Sequence, residues 1–315
     1  MIRIATIGSG AITTLFAEAV ARTPGIRIEA VFSRDLAKAR DIADGWGAAA
    51  AYSDLDEMLA SPDVDAVYIA SPNSVHAEQV RAALRAGRHV LVEKPAVLSA
   101  DEWGELVAEA DAAGVVLLEA FRTDYDPGFV ALVEMLPELG TLRRASLRFE
   151  GLSSRYAKVR AGEHVNIFDP AMGGGALLDL GVYGLHTMVT LFGAPDRVAG
   201  EAVTISTGVE GAGAVIAAYP GLVVDVSYSK ITRSSLPSEI QGEHASVEID
   251  HIASPRRLTI SGADGTRTVT VEGEQHALDG EVARFVELVA TEASATADQD
   301  RTTETLRLLD ALRAR

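Results

Sequence analysis

A chain of 315 residues exceeds what one hydrophobic core usually organises, so its length points to two domains. Hydrophobic residues make up 48% and charged residues 23%, the balance of a soluble globular protein, and no apolar run approaches the roughly 20 residues of a membrane-spanning helix. A formal charge of −17 argues against a nucleic-acid partner, and the absence of cysteine removes disulfides and thiolate chemistry. The opening "MIRIATIGSG" has neither a long apolar core nor a small-residue cleavage site, so a cytoplasmic protein without a signal peptide is expected.

The first 120 residues alternate apolar strands with amphipathic helices. Strands are predicted at Arg3–Ile7, Arg27–Phe32, Ala66–Ala70, His89–Val92 and Val115–Glu119, and helices near Ile12–Ala21, Leu36–Ala43, Val75–Ala86 and Ala100–Ala112. This rhythm indicates βαβ units and a doubly wound parallel sheet of the Rossmann type, with helices on both faces. From about residue 142 successive strands follow at Leu142–Glu150, Arg197–Ser206, Ala214–Tyr219, Leu222–Tyr228, Ser246–Ile249, Arg257–Ile260 and Thr266–Val271. They predict an α+β domain with a large, mostly antiparallel open sheet, closed by helices near Asp279–Thr291 and Thr302–Arg313. The domains divide near residue 121, as 1–121 for the dinucleotide and 122–315 for substrate and oligomerisation, with the last helices free to pack back on the first domain.

"IRIATIGSGAIT" puts Gly8 and Gly10 after the first strand and at the start of a helix. Gly8 permits the tight turn, and Gly10 lets a pyrophosphate approach the backbone at the positive helix end, beside Ala11 and Ile12. The third motif position is Thr13 rather than glycine. The second strand ends in "AVFSRD", where Ser33 and Arg34 offer a hydroxyl and a planar guanidinium to a ribose 2′-phosphate. Asp35, one place late, suits a helix cap. NADP(H) is therefore favoured, with NAD(H) as the lesser option.

"VLVEKPAVLS" places Glu93, Lys94 and Pro95 at a strand end, where ligands of doubly wound sheets bind, and "IASPNSVH" ends another strand. In "GGGALLDLGVYGLH", residues 173–186, three glycines open a helical pattern carrying Asp179, Tyr183 and His186 at i, i+4 and i+7. On an α-helix these would share one face, and Gly173–Gly175 would let the backbone enter a cleft without Cβ clashes. Two readings stand for His186, a substrate donor or a packed core histidine.

With these four stretches in this order, the chain resembles the Gfo/Idh/MocA family of NAD(P)-dependent oxidoreductases over essentially its whole length. The resemblance implies that Lys94 lies next to nicotinamide and substrate, that Glu93 lies beside the cofactor ribose, and that Ser71, Pro72, Asn73 and His76 line the cofactor's middle. Asp179 matches the acid of the active-site helix. Tyr183 stands where many members have histidine, as in the branch with dimeric dihydrodiol dehydrogenases, xylose dehydrogenases and glucose–fructose oxidoreductase. "RTDYDPGF" follows "EAF" where an arginine-phenylalanine element is common in the family.

The implied reaction moves a hydride between NADP(H) and a secondary alcohol or carbonyl of a small sugar, polyol or cyclic diol. Tyr183 would take the hydroxyl proton, Lys94 would favour phenolate and polarise a carbonyl, and Asp179 would orient the substrate or Lys94. The division of proton transfer between Tyr183 and Lys94 stays open, and no credible metal cluster is spaced in the sequence. Arg155 and Tyr156, with Asn166 and Asp169, lie in the long segment before the glycines, either as substrate contacts or as a solvated surface. The alternatives are an NAD-dependent glycoside hydrolase of the same fold and a non-catalytic nucleotide-binding regulator. No membrane partner is expected. A homodimer or homotetramer through the open sheet face is.

Overall fold

The structure is a computed structural model that describes residues 1–271 and 278–314. Its residues fall into two compact units, Met1–Arg122 with His276–Thr303, and Thr123–Gln275 with Glu304–Arg315.

In chain order the first unit contains β1 (Ile2–Ile7), α1 (Ala11–Arg22), β2 (Ile26–Phe32), α2 (Leu36–Trp46), β3 (Ala50–Tyr52), α3 (Leu55–Ala60), β4 (Ala66–Ile69), α4 (His76–Arg85), β5 (His89–Glu93), α5 (Ala100–Ala113) and β6 (Leu117–Ala120). The strands form one parallel sheet in the order β3-β2-β1-β4-β5-β6, the doubly wound arrangement with its switch point between β1 and β4. β3 and α3 are absent from the sequence-based expectation. Burial explains why the strands read as continuous apolar runs: Ala66, Val67, Tyr68 and Ile69 are all inaccessible to solvent. Phe16 of α1 stacks on Tyr68 with ring centroids 3.7 Å apart, at the centre of this core.

The second unit opens with α6 (Pro127–Met135), β7 (Leu142–Glu150) and α7 (Tyr156–Arg160). A π-helical turn over Leu177–Gly181 leads into α8 (Val182–Phe192). The remaining strands are β8 (Arg197–Thr204), β9 (Glu210–Tyr219), β10 (Leu222–Ser229), β11 (Ser238–Gly242), β12 (Ala245–Ile249), β13 (Arg257–Gly262) and β14 (Gly265–Thr270). They form an eight-stranded sheet, order β14-β13-β12-β11-β7-β10-β9-β8, antiparallel except where β10 runs parallel to β7. β11 is a further element beyond the expectation. One face is apolar, with Leu147, Val215, Val224, Val226, Ile240, Val247 and Leu258 buried. The opposite face of β7 and β10 carries polar contacts, including Arg144–Asp225 at 3.0 Å and Ser227 Oγ donating to Glu150 at 2.7 Å.

The chain ends in α9 (Asp279–Thr291) and α10 (Thr296–Arg313). Val282, Phe285 and Leu288 form a stripe at helical spacing that joins the core of the first unit with Phe16 and Tyr68. Residues of α10 through Thr303 belong to the first unit and those from Glu304 to the second. α10 starts earlier than its apolar pattern, because its first turns are anchored by polar groups. Gln299 Nε2 donates to the Leu117 carbonyl, and Thr302 Oγ1 donates to Glu119.

The stretch Pro170–Phe192 does reach the length and apolarity of a membrane span, with a mean hydropathy of 1.3, contrary to the sequence-based expectation. Its most apolar window is 78% buried inside the protein, which is how a core helix packed on a sheet behaves.

Candidate active site

In the first unit every cofactor-binding candidate but His76 lies at or just beyond the carboxyl end of a parallel strand, or at the first turn that follows. β1 runs into Gly8, whose φ of 127° belongs to the region that favours glycine. A Cβ there would lie 2.5 Å from the Ala70 carbonyl oxygen, so Gly8 lets the loops after β1 and β4 touch at the switch point. Gly10 caps α1 without a side-chain hydrogen bond, and a Cβ on it would meet only open space. Gly10 and Ala11 are exposed and Ile12 half-buried. An uncapped helix start with backbone amides facing outward suits a phosphate group. Thr13 in the third motif position is wholly buried.

At the end of β2, Ser33 is half-buried and Arg34 exposed. Asp35 is the N-cap of α2, accepting from the amides of Ala37 and Lys38, so its carboxylate is engaged in holding the helix. That leaves a hydroxyl and a guanidinium at this strand end, the donor set that fits a 2′-phosphate. The residues present therefore fit NADP(H).

After β4, Ser71 Oγ donates to Gln79 at 2.6 Å, Pro72 is exposed and Asn73 half-buried. His76 does not line this surface. It is fully buried, with Nδ1 3.1 Å from the Pro95 carbonyl oxygen and Nε2 2.9 Å from that of Ser71. Burial pulls its pKa down, so the ring braces the two motif segments from beneath as a neutral group.

β5 delivers Glu93 and the half-buried Lys94, which joins Pro95 through a cis peptide bond. Glu93 accepts a 2.7 Å hydrogen bond from Tyr68 Oη, and burial raises its pKa against the opposing influence of that phenol and of Lys94. Glu281 of α9, which sequence reasoning did not single out, is 1% exposed, and neither carboxyl oxygen has a hydrogen-bond partner among the described residues. Burial, and next the Glu93 carboxylate, push its pKa well above the usual carboxylate range.

In the second unit Asp179 lies in the π segment, whereas Tyr183 and His186 lie in α8. Asp179 receives an ion pair from Lys230 just beyond β10. Tyr183, 7% exposed, meets the ring of Phe149 edge-on at a centroid distance of 5.3 Å. His186, 1% exposed, points elsewhere: Nε2 lies 2.9 Å from Asp124 Oδ2, and Nδ1 lies 3.2 Å from Thr305 Oγ1. Both ring nitrogens are thus engaged inside the unit, and the packed reading of His186 replaces that of a substrate donor.

The helix glycines serve contact within the unit. A Cβ on Gly184 would lie 2.5 Å from Val226 Cγ1, and one on Gly181 would lie 2.9 Å from the Tyr228 ring. Gly174 and Gly175 similarly face the Ile167 carbonyl and the Glu210 carboxylate at 2.7 Å. Arg155 is exposed, whereas Tyr156 is half-buried and tilts against Phe168 in a small cluster with Val159 and Val209. The exposed Asn166 opens a short 3₁₀ turn. Asp169 caps the next turn through the Ala171 amide and pairs with His164 at 2.7 Å, a bond that lowers its pKa.

Glu281 makes the stability of the protein depend on pH in a stated direction. A carboxyl whose folded pKa is raised binds its proton more tightly when folded, so its contribution is greatest below the unfolded value and is lost as pH climbs through the folded one. Glu281→Gln cannot ionise. In calorimetric melts the variant should gain on the wild type as pH rises from about 4.5 towards 8. A difference between the two that does not change with pH would remove this role for Glu281.

Comparison with known proteins agrees with this arrangement. The description "Oxidoreductase family, NAD-binding Rossmann fold" matches residues 2–121, and the "GFO/IDH/MocA C-terminal domain" matches residues 137–248. The scyllo-inositol 2-dehydrogenase (NADP(+)) of Bacillus subtilis is 41% identical over 92% of this chain and 88% of its own length. The trans-1,2-dihydrobenzene-1,2-diol dehydrogenase of Mus musculus is 30% identical over 83% of this chain and 78% of its own. Among solved structures, the 3-ketoreductase KijD10 from Actinomadura kijaniata, in complex with NADP and TDP-benzene, superposes with a TM-score of 0.89 at 23% identity, covering 99% of this chain and 97% of that one, and shares the fold. The two matched domains and the extent of these identities establish that the chain belongs to the Gfo/Idh/MocA family of oxidoreductases.

Proposed function

We propose that this protein is an NADP(H)-dependent oxidoreductase that interconverts a secondary alcohol and a ketone on a small polyhydroxylated ring, a cyclic polyol, sugar or diol. The observation that carries the reading is the convergence of Gly10, Ser33–Arg34, Ser71–Asn73 and Glu93–Lys94 along the carboxyl edge of one parallel sheet. The named activities of the relatives from Bacillus subtilis and Mus musculus support the substrate class.

When bound, NADP⁺ supplies the hydride acceptor for the carbinol carbon. The chain's own residues handle position and the proton. Backbone amides at the start of α1 hold the pyrophosphate, and Ser33 with Arg34 hold the 2′-phosphate. Asp179 orients the substrate hydroxyl and Tyr183 Oη takes its proton. In the reverse direction the Lys94 ammonium polarises the carbonyl as the phenol returns the proton.

A screen of inositols, pentoses and cyclic diols with NADP⁺, followed by nicotinamide absorbance, tests the reading. Binding of cofactor with no net reduction on any of them would defeat it, and sugar cleavage without net reduction would point to the glycoside hydrolase alternative. With a substrate in hand, Tyr183→Phe should lower turnover ~10²- to 10⁴-fold while cofactor affinity stays nearly constant. Turnover close to wild type would transfer the proton to Lys94.

Arg34→Ala should weaken NADP⁺ binding by about 10- to 100-fold, as for a lost charge-assisted hydrogen bond, and change NAD⁺ binding little. Fluorescence titration with both nucleotides measures this, and equal losses for the two would remove the assignment.

We further infer a homodimer or homotetramer joined through the outward face of the eight-stranded sheet. Val203, Ile216 and Val223 on the adjacent strands β8, β9 and β10 support it, each about half exposed. Light scattering at micromolar concentration should give at least twice the chain mass; a monomer would count decisively against this assembly.

A further inference from the structure

We propose that Lys230 is a positioning residue for this reaction, holding the Asp179 carboxylate ionised and in one orientation. The inference rests on the functional reading above. Along β10, Leu222, Val224, Val226 and Tyr228 face the buried side of the sheet, and Lys230 continues the same alternation just past the strand end. A lysine on this register has its charge carried inward unless something meets it. Its side chain is 8% exposed, and Nζ donates to Asp179 Oδ2.

The stem of Lys230 starts from a fixed point. Its own amide donates to the Gly211 carbonyl at 2.8 Å, and its carbonyl accepts from the Ser153 amide at 2.9 Å. Immediately before it, Ser229 Oγ accepts from the amides of Ile231 and Thr232, which closes the turn that follows. The other partner is also fixed. Gly181 and Gly184 seat the helix directly on Tyr228 and Val226, and the π turn aims Asp179 at the strand end.

An ammonium this deep is costly unless paired, and removing one partner of such a pair leaves the other charge uncompensated. The pair therefore keeps Asp179 ionised from within its own domain. With Oδ2 engaged, the plane of the carboxylate and the direction of Oδ1 are set as well. Glu210 of β9 faces the same helix start at Gly175 and acts on Tyr228, so this end of the helix carries a second acid.

The test compares Lys230→Met and Lys230→Arg with the wild type in three measurements: NADP⁺ affinity, kcat and KM, and carboxyl ¹³C NMR titration of Asp179. The methionine variant should bind NADP⁺ within about twofold of wild type yet lose about tenfold or more in kcat, the scale of a misplaced orienting group. Arginine, which keeps the cation, should recover most of that loss. The Asp179 carboxyl should titrate about one pH unit or more higher in the methionine variant. Lys230→Gln takes its place should the methionine variant not fold. A lysine that merely supports the fold would lower the melting temperature and leave both kcat and the Asp179 titration unmoved, and that result overturns the proposal. If no polyol, sugar or diol is turned over by the wild type, the functional reading fails by itself. The NMR titration still decides Lys230, because an Asp179 carboxyl indifferent to the substitution removes the pairing role.

Discussion

A helix can lie with its backbone directly on a strand only where neither presents bulk at the crossing, and Gly181 and Gly184 meet that condition against β10. Most of the second unit's chemistry follows from this close contact. Each glycine costs a helix about 1 kcal/mol relative to alanine, so the segment spends intrinsic helix stability to reach its place. What the contact yields is position. It brings Asp179 to the end of β10 within reach of Lys230, turns Tyr183 towards Phe149, and carries His186 into a buried network with Asp124 and Thr305. A methyl group at Gly184 would meet Val226, and all three arrangements would have to shift together.

The first unit solves a different problem, which is to hold several loop segments in register at one sheet edge. Parallel strands supply the common edge, and the loops are then tied to one another as well as to the strands. Gly8 lets the first loop rest on Ala70, and His76 reaches from the start of α4 to carbonyls of both motif segments. Further back, Glu119 accepts from the Ala96 amide and from Thr302, so the segment after Lys94 is anchored to α10 through a buried carboxylate. None of these three residues needs to touch a ligand for the edge to keep its shape.

The parallel sheet was legible because buried strands and amphipathic helices differ in period over enough residues to be told apart. β3 escaped because "AAY" is three residues at the sheet edge, and β11 because "SEIQG" has one large apolar residue, Ile240, to mark its inward side. The π turn could not be read, since Leu177 and Leu178 fit the inward side of either helix type. Nothing local pairs His186 with Asp124, 62 residues upstream, so packing and ligand binding were equally compatible with its spacing. Lys230 is a different case. The alternation from Leu222 to Tyr228 places it on the inward register, and a charged residue there signals a buried partner. Glu281 adjoins the Val282–Phe285–Leu288 stripe in the same way, as a carboxyl on the edge of an apolar face.

His76 carries one more implication. A neutral imidazole has a single N–H, yet each of its ring nitrogens faces a carbonyl oxygen. At any instant the ring can donate to Ser71 or to Pro95, and the nitrogen left bare then confronts an acceptor with no proton between them. The two tautomers thus secure different sides of the same sheet edge, one favouring the loop after β4 and the other the turn after β5. A proton moving from one ring nitrogen to the other would shift which segment is held, without any change in the protein's net charge.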